Sequence, residues 1–308
     1  MTKDLLTLNE FSGAELNNLL FLSGNMKKEL KKGKRNHPVL ANKTVVLIFE
    51  KPSLRTRVTF ETGINQLGGS PIYLAPDTIQ IGKRESAYDV AKNLERWVSA
   101  IVARTFSHKL QEELAAHASI PVINALSDDH HPCQALALGL TLKEQFGKLK
   151  GLELTFIGDG NNVAASLLLL CAKLGTHFTL ACPKGYEIGK NILSLASKEA
   201  VKSGSKIRVL HDPKEAVKRA DLIYTDVWAS MGQERETLER KKRFSPFQVN
   251  EKLMALAPKH ARFSHCLPAH RGEEATNEVL DGAASVMFDE AENRLHVQKA
   301  VLSLLVKK

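Results

Sequence analysis

Apolar positions along the 308-residue chain fall into two alternating rhythms. Short, uncharged runs rich in β-branched residues predict strands at 44–49 (TVVLIF), 71–74, 100–103 and 121–124. The longer period between them predicts helices at 53–67, 84–96 and 107–118. Ahead of this array, Leu5, Leu8, Phe11, Leu16 and the run from Leu19 to Leu22 suggest one or two helices within 5–34. After an apolar helix at 131–146, the run Gly147-Lys148-Leu149-Lys150-Gly151 is the best candidate for a domain boundary.

A second array follows. Its strands are expected at 153–157, 177–181, 206–210, 222–225 and 262–266, and its helices at 162–174, 187–203, 213–220 and 250–257. The chain closes on a helix from about 292 to 306, with Leu295, Ala300, Val301, Leu304 and Leu305 apolar. Strand–helix alternation implies parallel sheets covered on both faces. The expected fold class is therefore α/β, with two doubly wound open parallel-sheet domains, an active-site cleft between them and a closing C-terminal helix. The first domain is expected to span 1–146, joined by the C-terminal helix at about 290–308, and the second 150–285. Residues 230–247 show little periodicity and read as a lid or an ordinary surface excursion.

Composition narrows the function classes. An apolar share of 43% and a charged share of 25% are those of a soluble globular protein. The longest uncharged apolar run, 163–172, is far too short to span a bilayer. No basic region followed by an apolar core opens the chain, so a cytoplasmic location without membrane attachment is expected. Cys133, Cys171, Cys182 and Cys266 are scattered, show no metal spacing and read as reduced thiols. The net charge of +9 comes from basic residues spread along the chain, with one local run at Arg240-Lys241-Lys242-Arg243. Without zinc-finger spacing or a basic stripe interleaved with aromatics, the excess suits small anions better than nucleic acid.

The most telling stretch is Phe49-Glu50-Lys51-Pro52-Ser53-Leu54-Arg55-Thr56-Arg57. It lies where a strand hands over to a helix, and free amide N–H groups and the helix dipole attract anions there. Ser53, Arg55, Thr56 and Arg57 add hydroxyls and guanidinium forks at the same spot. Positive charge in a first helical turn opposes the dipole unless an anion compensates it. Arg104 at a strand end and His131-Pro132-Cys133-Gln134 at a helix start would suit a carbonyl oxygen beside a phosphate.

In the second half, Gly158-Asp159-Gly160-Asn161-Asn162 follows a strand but lacks the third glycine and the acidic ribose ligand of a dinucleotide site. Its asparagines are either helix caps or amide ligands for an amino acid. Asp226 and Ser230, in Asp226-Val227-Trp228-Ala229-Ser230-Met231-Gly232, would receive an α-ammonium and orient an amino or carboxylate group, or else simply form a turn. Cys266, in His265-Cys266-Leu267-Pro268, is a partly buried polar atom near chemistry or a structural cysteine. Its neighbour His265 would point to the opposite face of a strand, which disfavours a thiol nucleophile with His265 as base.

Taken motif by motif, nearly the whole chain resembles the ornithine branch of the aspartate/ornithine carbamoyltransferase family. The phosphate signature Ser-x-Arg-Thr-Arg appears as Ser53 to Arg57, with Leu54 in place of the usual Thr and contributing its backbone. The resemblance implies that carbamoyl phosphate is bound by Ser53, Leu54, Arg55, Thr56, Arg104, His131, Gln134, Cys266, Leu267 and Arg294, with Gln80 donated by a neighbouring subunit. It implies that Asn162, Asp226, Ser230 and Met231 hold L-ornithine. Arg55, Arg104, His131, Gln134, Asp226, Cys266 and Arg294 would be the catalytic set. It further implies a homotrimer or a multiple of trimers, an unknotted chain, and no metal or organic cofactor.

Overall fold

A computed structural model describes residues 2–76, 81–82, 84–229 and 236–306. The chain forms two compact units, Met1–Leu140 with Glu292–Lys308, and Thr141–Ala291.

In the first unit, α1 (Gly13–Lys31) precedes β1 (Thr44–Phe49), α2 (Leu54–Gln66), β2 (Ser70–Leu74), α3 (Ala87–Trp97), β3 (Ala100–Arg104), α4 (His108–His117) and β4 (Val122–Leu126). The four strands pair in parallel in the order β2-β1-β3-β4. Val45 to Phe49 and Ala100 to Arg104 are buried throughout, which is why these strands read as unbroken apolar runs. Helix α5 (Pro132–Phe146) is apolar nearly all round and is buried from Pro132 to Leu142.

The second unit carries β5 (Glu153–Ile157), α6 (Asn162–Leu174), β6 (His177–Ala181), α7 (Lys190–Ser203), β7 (Ile207–Leu210), α8 (Pro213–Val217) and β8 (Leu222–Thr225). Helix α9 (Thr237–Phe244), the 3₁₀ turn Ser245–Phe247, α10 (Glu251–Met254), β9 (Arg262–His265) and α11 (Asn277–Leu280) follow. The five parallel strands run β7-β6-β5-β8-β9. Ile157, Ile223, Phe263, Val249 and Met287 are among the residues that fill a core on one face of this sheet. Helix α12 (Met287–Leu305) ends the fold, and its residues from Glu292 onward belong to the first unit.

Both sheets reverse direction of growth at one point. In the first, the chain moves outward from β1 to β2, then returns to place β3 on the other side of β1. In the second, it moves from β5 through β6 to β7, then returns to place β8 beside β5. Loops leaving such neighbouring strands diverge to opposite faces and leave room for a ligand at their carboxyl ends. The loops so placed are 50–53 with Arg104 in one unit, and 158–162 with Asp226 in the other.

Some elements differ from expectation. Leu5 is not helical but forms a parallel bridge to Ile123, capping the exposed edge of β4. Helix α12 starts at Met287, since Asp289 and Glu290 are favourable in a first turn although they break the apolar pattern. The described part of 230–247 is anchored helix: Phe244 is fully buried and packs on Tyr186 and Trp228. Three residues of its basic run are paired, Arg240 with Asp159, Lys241 with Glu273 and Arg243 with Glu239. Residues 230–235 lie outside the described residues.

Candidate active site

In the first unit, Ser53 caps α2 and its hydroxyl accepts a hydrogen bond from the Thr56 N–H at 3.3 Å. Leu54 opens the helix with its side chain 74% exposed, so only its backbone faces the helix terminus. The loop is tied to the end of β3 twice: Glu50 N–H donates to the Arg104 carbonyl at 2.8 Å, and Arg104 Nε donates to the Lys51 carbonyl at 3.2 Å. Arg57 points elsewhere. Its guanidinium pairs with Glu61 one turn on, at 2.9 Å, and stacks on Tyr73. The i,i+4 spacing made that partner available, and the helix turn separates Arg57 from its neighbours.

Arg294, on α12, gathers the rest. Its Nη1 donates to Gln134 Oε1 at 2.6 Å and lies 3.4 Å from His131 Nε2, while Nη2 donates to Thr56 Oγ1 at 2.8 Å. A guanidinium has only donors, so the facing Nε2 accepts and the ring proton of a neutral His131 sits on Nδ1. Burial, followed by the charges of Arg294, Arg104 and Arg55, holds His131 well below its usual range. Thus Thr56, His131, Gln134 and Arg294 are in direct contact, with Arg55 and Arg104 close enough to bear on the same imidazole. A neutral ring ringed by guanidinium groups, at a helix start, is a receptacle for a multiply charged anion and an adjacent carbonyl oxygen.

In the second unit, Asn161 caps α6, its Oδ1 accepting from the Val163 and Ala164 N–H groups. Its Nδ2 donates to Asp226 Oδ2 at 2.7 Å. The other oxygen, Oδ1, accepts from the Cys266 thiol at 2.8 Å and from the Val227 N–H at 2.8 Å. Asn162 occupies the first turn of α6 beside this cluster. Sequence reasoning gave the amide role to Asn162 and left Asn161 as one of two caps, yet Asn161 is the residue on Asp226. A second residue missed is Arg240, whose Nη1 bridges Asp159 Oδ2 at 2.7 Å and the Trp228 carbonyl at 3.0 Å. Burial raises the Asp159 carboxyl, against the pull of Arg240.

Leu267 has φ 57° and follows Cys266 directly. His265 is spent on structure: Nδ1 accepts from the Leu267 N–H at 2.8 Å, and Nε2 faces the buried Glu274 at 3.1 Å. Gln80, Ser230 and Met231 lie outside the described residues.

Three groups of His, Cys, Asp and Glu among the described residues bring ligand atoms within 4.8 Å of one another: Asp226, His265 and Cys266; His270, Glu273 and Glu274; and Cys182, Glu187 and His211. None has a sequence spacing that announces it, because each gathers residues from separate segments or from an irregular loop. In the first, both His265 nitrogens already have partners. In the second, Glu274 Oε1 accepts from the His270 N–H at 2.6 Å and also faces His265.

Comparison with known proteins also divides the chain between 140 and 150, although the second match runs on through the C-terminal helix. Residues 3–144 match the carbamoyl-P binding domain of aspartate/ornithine carbamoyltransferase, and residues 150–305 match the Asp/Orn binding domain. Ornithine carbamoyltransferase of Anoxybacillus flavithermus is 52% identical over 304 residues, covering 99% of this chain and 96% of its own length. That of Thermococcus kodakarensis is 51% identical with the same coverage. The structure of ornithine carbamoyltransferase from Pyrococcus furiosus superposes with a TM-score of 0.96 at 49% identity, covering 98% of this chain and 96% of that one. With both family domains matched in order and with relatives at this identity over almost their full length, the chain belongs to the aspartate/ornithine carbamoyltransferase family.

Proposed function

We propose that this chain is an ornithine carbamoyltransferase: it moves the carbamoyl group of carbamoyl phosphate onto the side-chain amine of L-ornithine, giving L-citrulline and phosphate. The observation that carries the reading is the contact of Arg294 with Thr56, Gln134 and His131 beside Arg55 and Arg104. The names of its full-length relatives select ornithine as the acceptor.

Carbamoyl phosphate is assigned to the first unit. Ser53, the Leu54 backbone, Arg55, Thr56 and Arg104 hold the phosphate, with Gln80 from a neighbouring subunit. His131 and Arg294 meet the carbonyl oxygen, and Gln134 meets the carbamoyl amine. Donors aimed at these oxygens stabilise the charge that develops as the tetrahedral state forms. Asn162, Asp226, Ser230 and Met231 take the α-amino and α-carboxylate groups of ornithine, and Asn161 orients Asp226. Cys266 and Leu267 are assigned to the reacting amine and the carbamoyl group.

The attacking amine must be neutral, because an ammonium has no lone pair. For an amine titrating near 10, presenting the free base at pH 7 costs roughly 4 kcal/mol. Desolvation and nearby guanidinium charge reduce that cost by disfavouring the ammonium. Attack on the carbonyl carbon expels phosphate, whose oxygen takes the proton. No covalent enzyme intermediate is required.

A homotrimer is part of this reading. Leu54, Val58, Ile72, Tyr88 and Trp97 are large apolar side chains exposed on the first unit, on α2, the edge strand β2 and α3. Such side chains on one unit favour burial against another copy. Light scattering on the eluting protein gives the subunit number. Among the described residues no helix is long and apolar enough to cross a membrane. A cytoplasmic role in arginine biosynthesis completes the proposal, supported by the Pyrococcus furiosus relative named as anabolic.

The test is an initial-rate assay of phosphate release from carbamoyl phosphate with ornithine, aspartate, putrescine or N-acetylornithine. Acceleration by ornithine alone, with citrulline in equal amount, is the expected result. Preference for another amine overturns the acceptor assignment and leaves the phosphate assignment standing.

A further inference from the structure

Cys182, Glu187 and His211 lie outside the residues assigned to either substrate. Strands β6 and β7 are paired with Ala181 opposite Leu210, so Cys182 and His211 leave adjacent strand ends together. Glu187 belongs to the loop that runs from Cys182 to α7. The ligand atoms of all three lie within 4.8 Å of one another.

The protons in this cluster are fixed by its neighbours. His211 Nδ1 donates to the Cys182 carbonyl at 2.8 Å, since a carbonyl oxygen only accepts. In the neutral ring that leaves the Nε2 lone pair free, 3.8 Å from Glu187 Oε1. Both Glu187 oxygens accept from the Gly185 N–H, at 3.1 and 3.0 Å. Backbone hydrogen bonds hold this carboxyl below its usual range, and so keep it ionised. Two acceptors thus face each other across a gap that only a cation or an added ring proton reconciles. A buried thiol completes the third side, pushed up to about 12 by burial and by the carboxylates of Glu187 and Asp159.

We propose that Cys182, Glu187 and His211 form a binding site for a borderline-soft divalent cation of the zinc class. One thiolate, one imidazole and one carboxylate leave a fourth position for water. The backbone carbonyl on Nδ1 is the usual outer partner that sets the tautomer of a ligating imidazole. Binding replaces the thiol proton by the metal, so one proton is released per cation bound. The exposed edges of Glu187 and His211 supply the entry path.

Occupancy would clamp the 182–189 loop to the ends of β6 and β7. That loop packs hard on the loop carrying Asn161. Gly160 N–H donates to the Tyr186 carbonyl at 2.8 Å, and a Cβ on Gly160 would fall 2.4 Å from the Ile188 nitrogen. A cation here therefore stiffens the wall behind the Asn161–Asp226 pair without touching it.

The test is titration of the full-length protein with Co²⁺ as a chromophoric probe, followed by displacement with Zn²⁺. One equivalent of Co²⁺ should give a thiolate charge-transfer band with release of one proton, and Zn²⁺ should abolish the band with no further proton release. Cys182→Ser should lose the band, and His211→Gln should weaken binding by at least about 10-fold. Cys266→Ser should keep the band, which separates this site from the Asp226, His265 and Cys266 cluster. Thermal melts of the metal-free variants check that all three are folded. A band that survives Cys182→Ser and vanishes in Cys266→Ser overturns the assignment, as does the absence of any thiolate band in the parent protein.

Discussion

Asn161 holds Asp226 by a 2.7 Å hydrogen bond from Nδ2 to Oδ2 while its own Oδ1 caps helix α6. One amide thus fixes a helix start and a carboxylate on a different strand. Asn161→Ser keeps a capping oxygen but removes the donor to Asp226. A hydrogen bond to a charged group contributes about 1.5–3 kcal/mol, so the KM for ornithine should rise by roughly 10- to 150-fold. Binding of carbamoyl phosphate by calorimetry should stay near its parent value. Weakening of both ligands alike would place Asn161 in general folding rather than in the amino-acid site.

Arg294→Lys retains a positive charge but loses the fork that spans Gln134 and Thr56. Loss of a donor aimed at developing charge lowers kcat by about 10²–10³. Steady-state kinetics should show this fall with either substrate varied, while a circular dichroism melt remains cooperative. A kcat within about threefold of the parent would remove Arg294 from the reacting centre.

Two ion pairs of similar length should behave very differently. Arg240 and Asp159 are both largely buried, whereas Arg271 and Asp281 are half exposed. Removing Arg240 strands a buried carboxylate, so Arg240→Ala should cost about 3–5 kcal/mol in urea unfolding. Arg271→Ala should cost about 1 kcal/mol or less. Equal effects would show that burial does not govern these pairs.

Acid should destabilise the protein through buried imidazoles. Burial, then the nearby His108, pushes His130 down to about 4. Burial, then Lys299 and Lys27, pushes His296 down to about 4 against the opposing charge of Glu292. A histidine depressed in the folded state binds fewer protons than in the unfolded chain, which titrates near 6.5. Stability should therefore fall as pH drops from about 6.5 to about 4, and this contribution should level off below. Urea midpoints measured across that range should show a shallower slope in His296→Gln. An unchanged slope would exclude His296 as a source.

How far the sequence alone discloses this molecule depends on whether the deciding partner is near in the chain. β5 and β6 were legible to the residue, because strands buried on both faces read as short, mostly apolar runs, here interrupted inside only by the β-branched Thr155 and Thr179. Leu5 was not, since its pairing with Ile123 lies far along the chain. α9 was hidden because Arg240 and Phe244, its buried residues, sit in a run that otherwise reads as solvated charge. Among site residues, Thr56, His131, Gln134 and Arg294 were named from motifs that stand far apart. That they touch is information only the fold carries. Arg57 had the right residue type in the right motif, and its i+4 neighbour Glu61 drew it away. Asn161 and Asn162 differ by one position and no sequence pattern ranks them.

The first unit is interrupted in the chain by the whole of the second, and this has a consequence for synthesis on the ribosome. The loop at 50–56, Arg104 and His131 emerge before the second unit is made, whereas Arg294 emerges after it. Domains generally fold as they are completed. The second unit, 141–291, therefore has all its residues first, while the first waits for a helix coded downstream. A nascent chain that has just completed 291 holds the whole sequence of the second unit, yet its Gln134 and Thr56 still lack Arg294. The contacts of Arg294 with Thr56, Gln134 and His131 are thus among the last that growth of the chain permits.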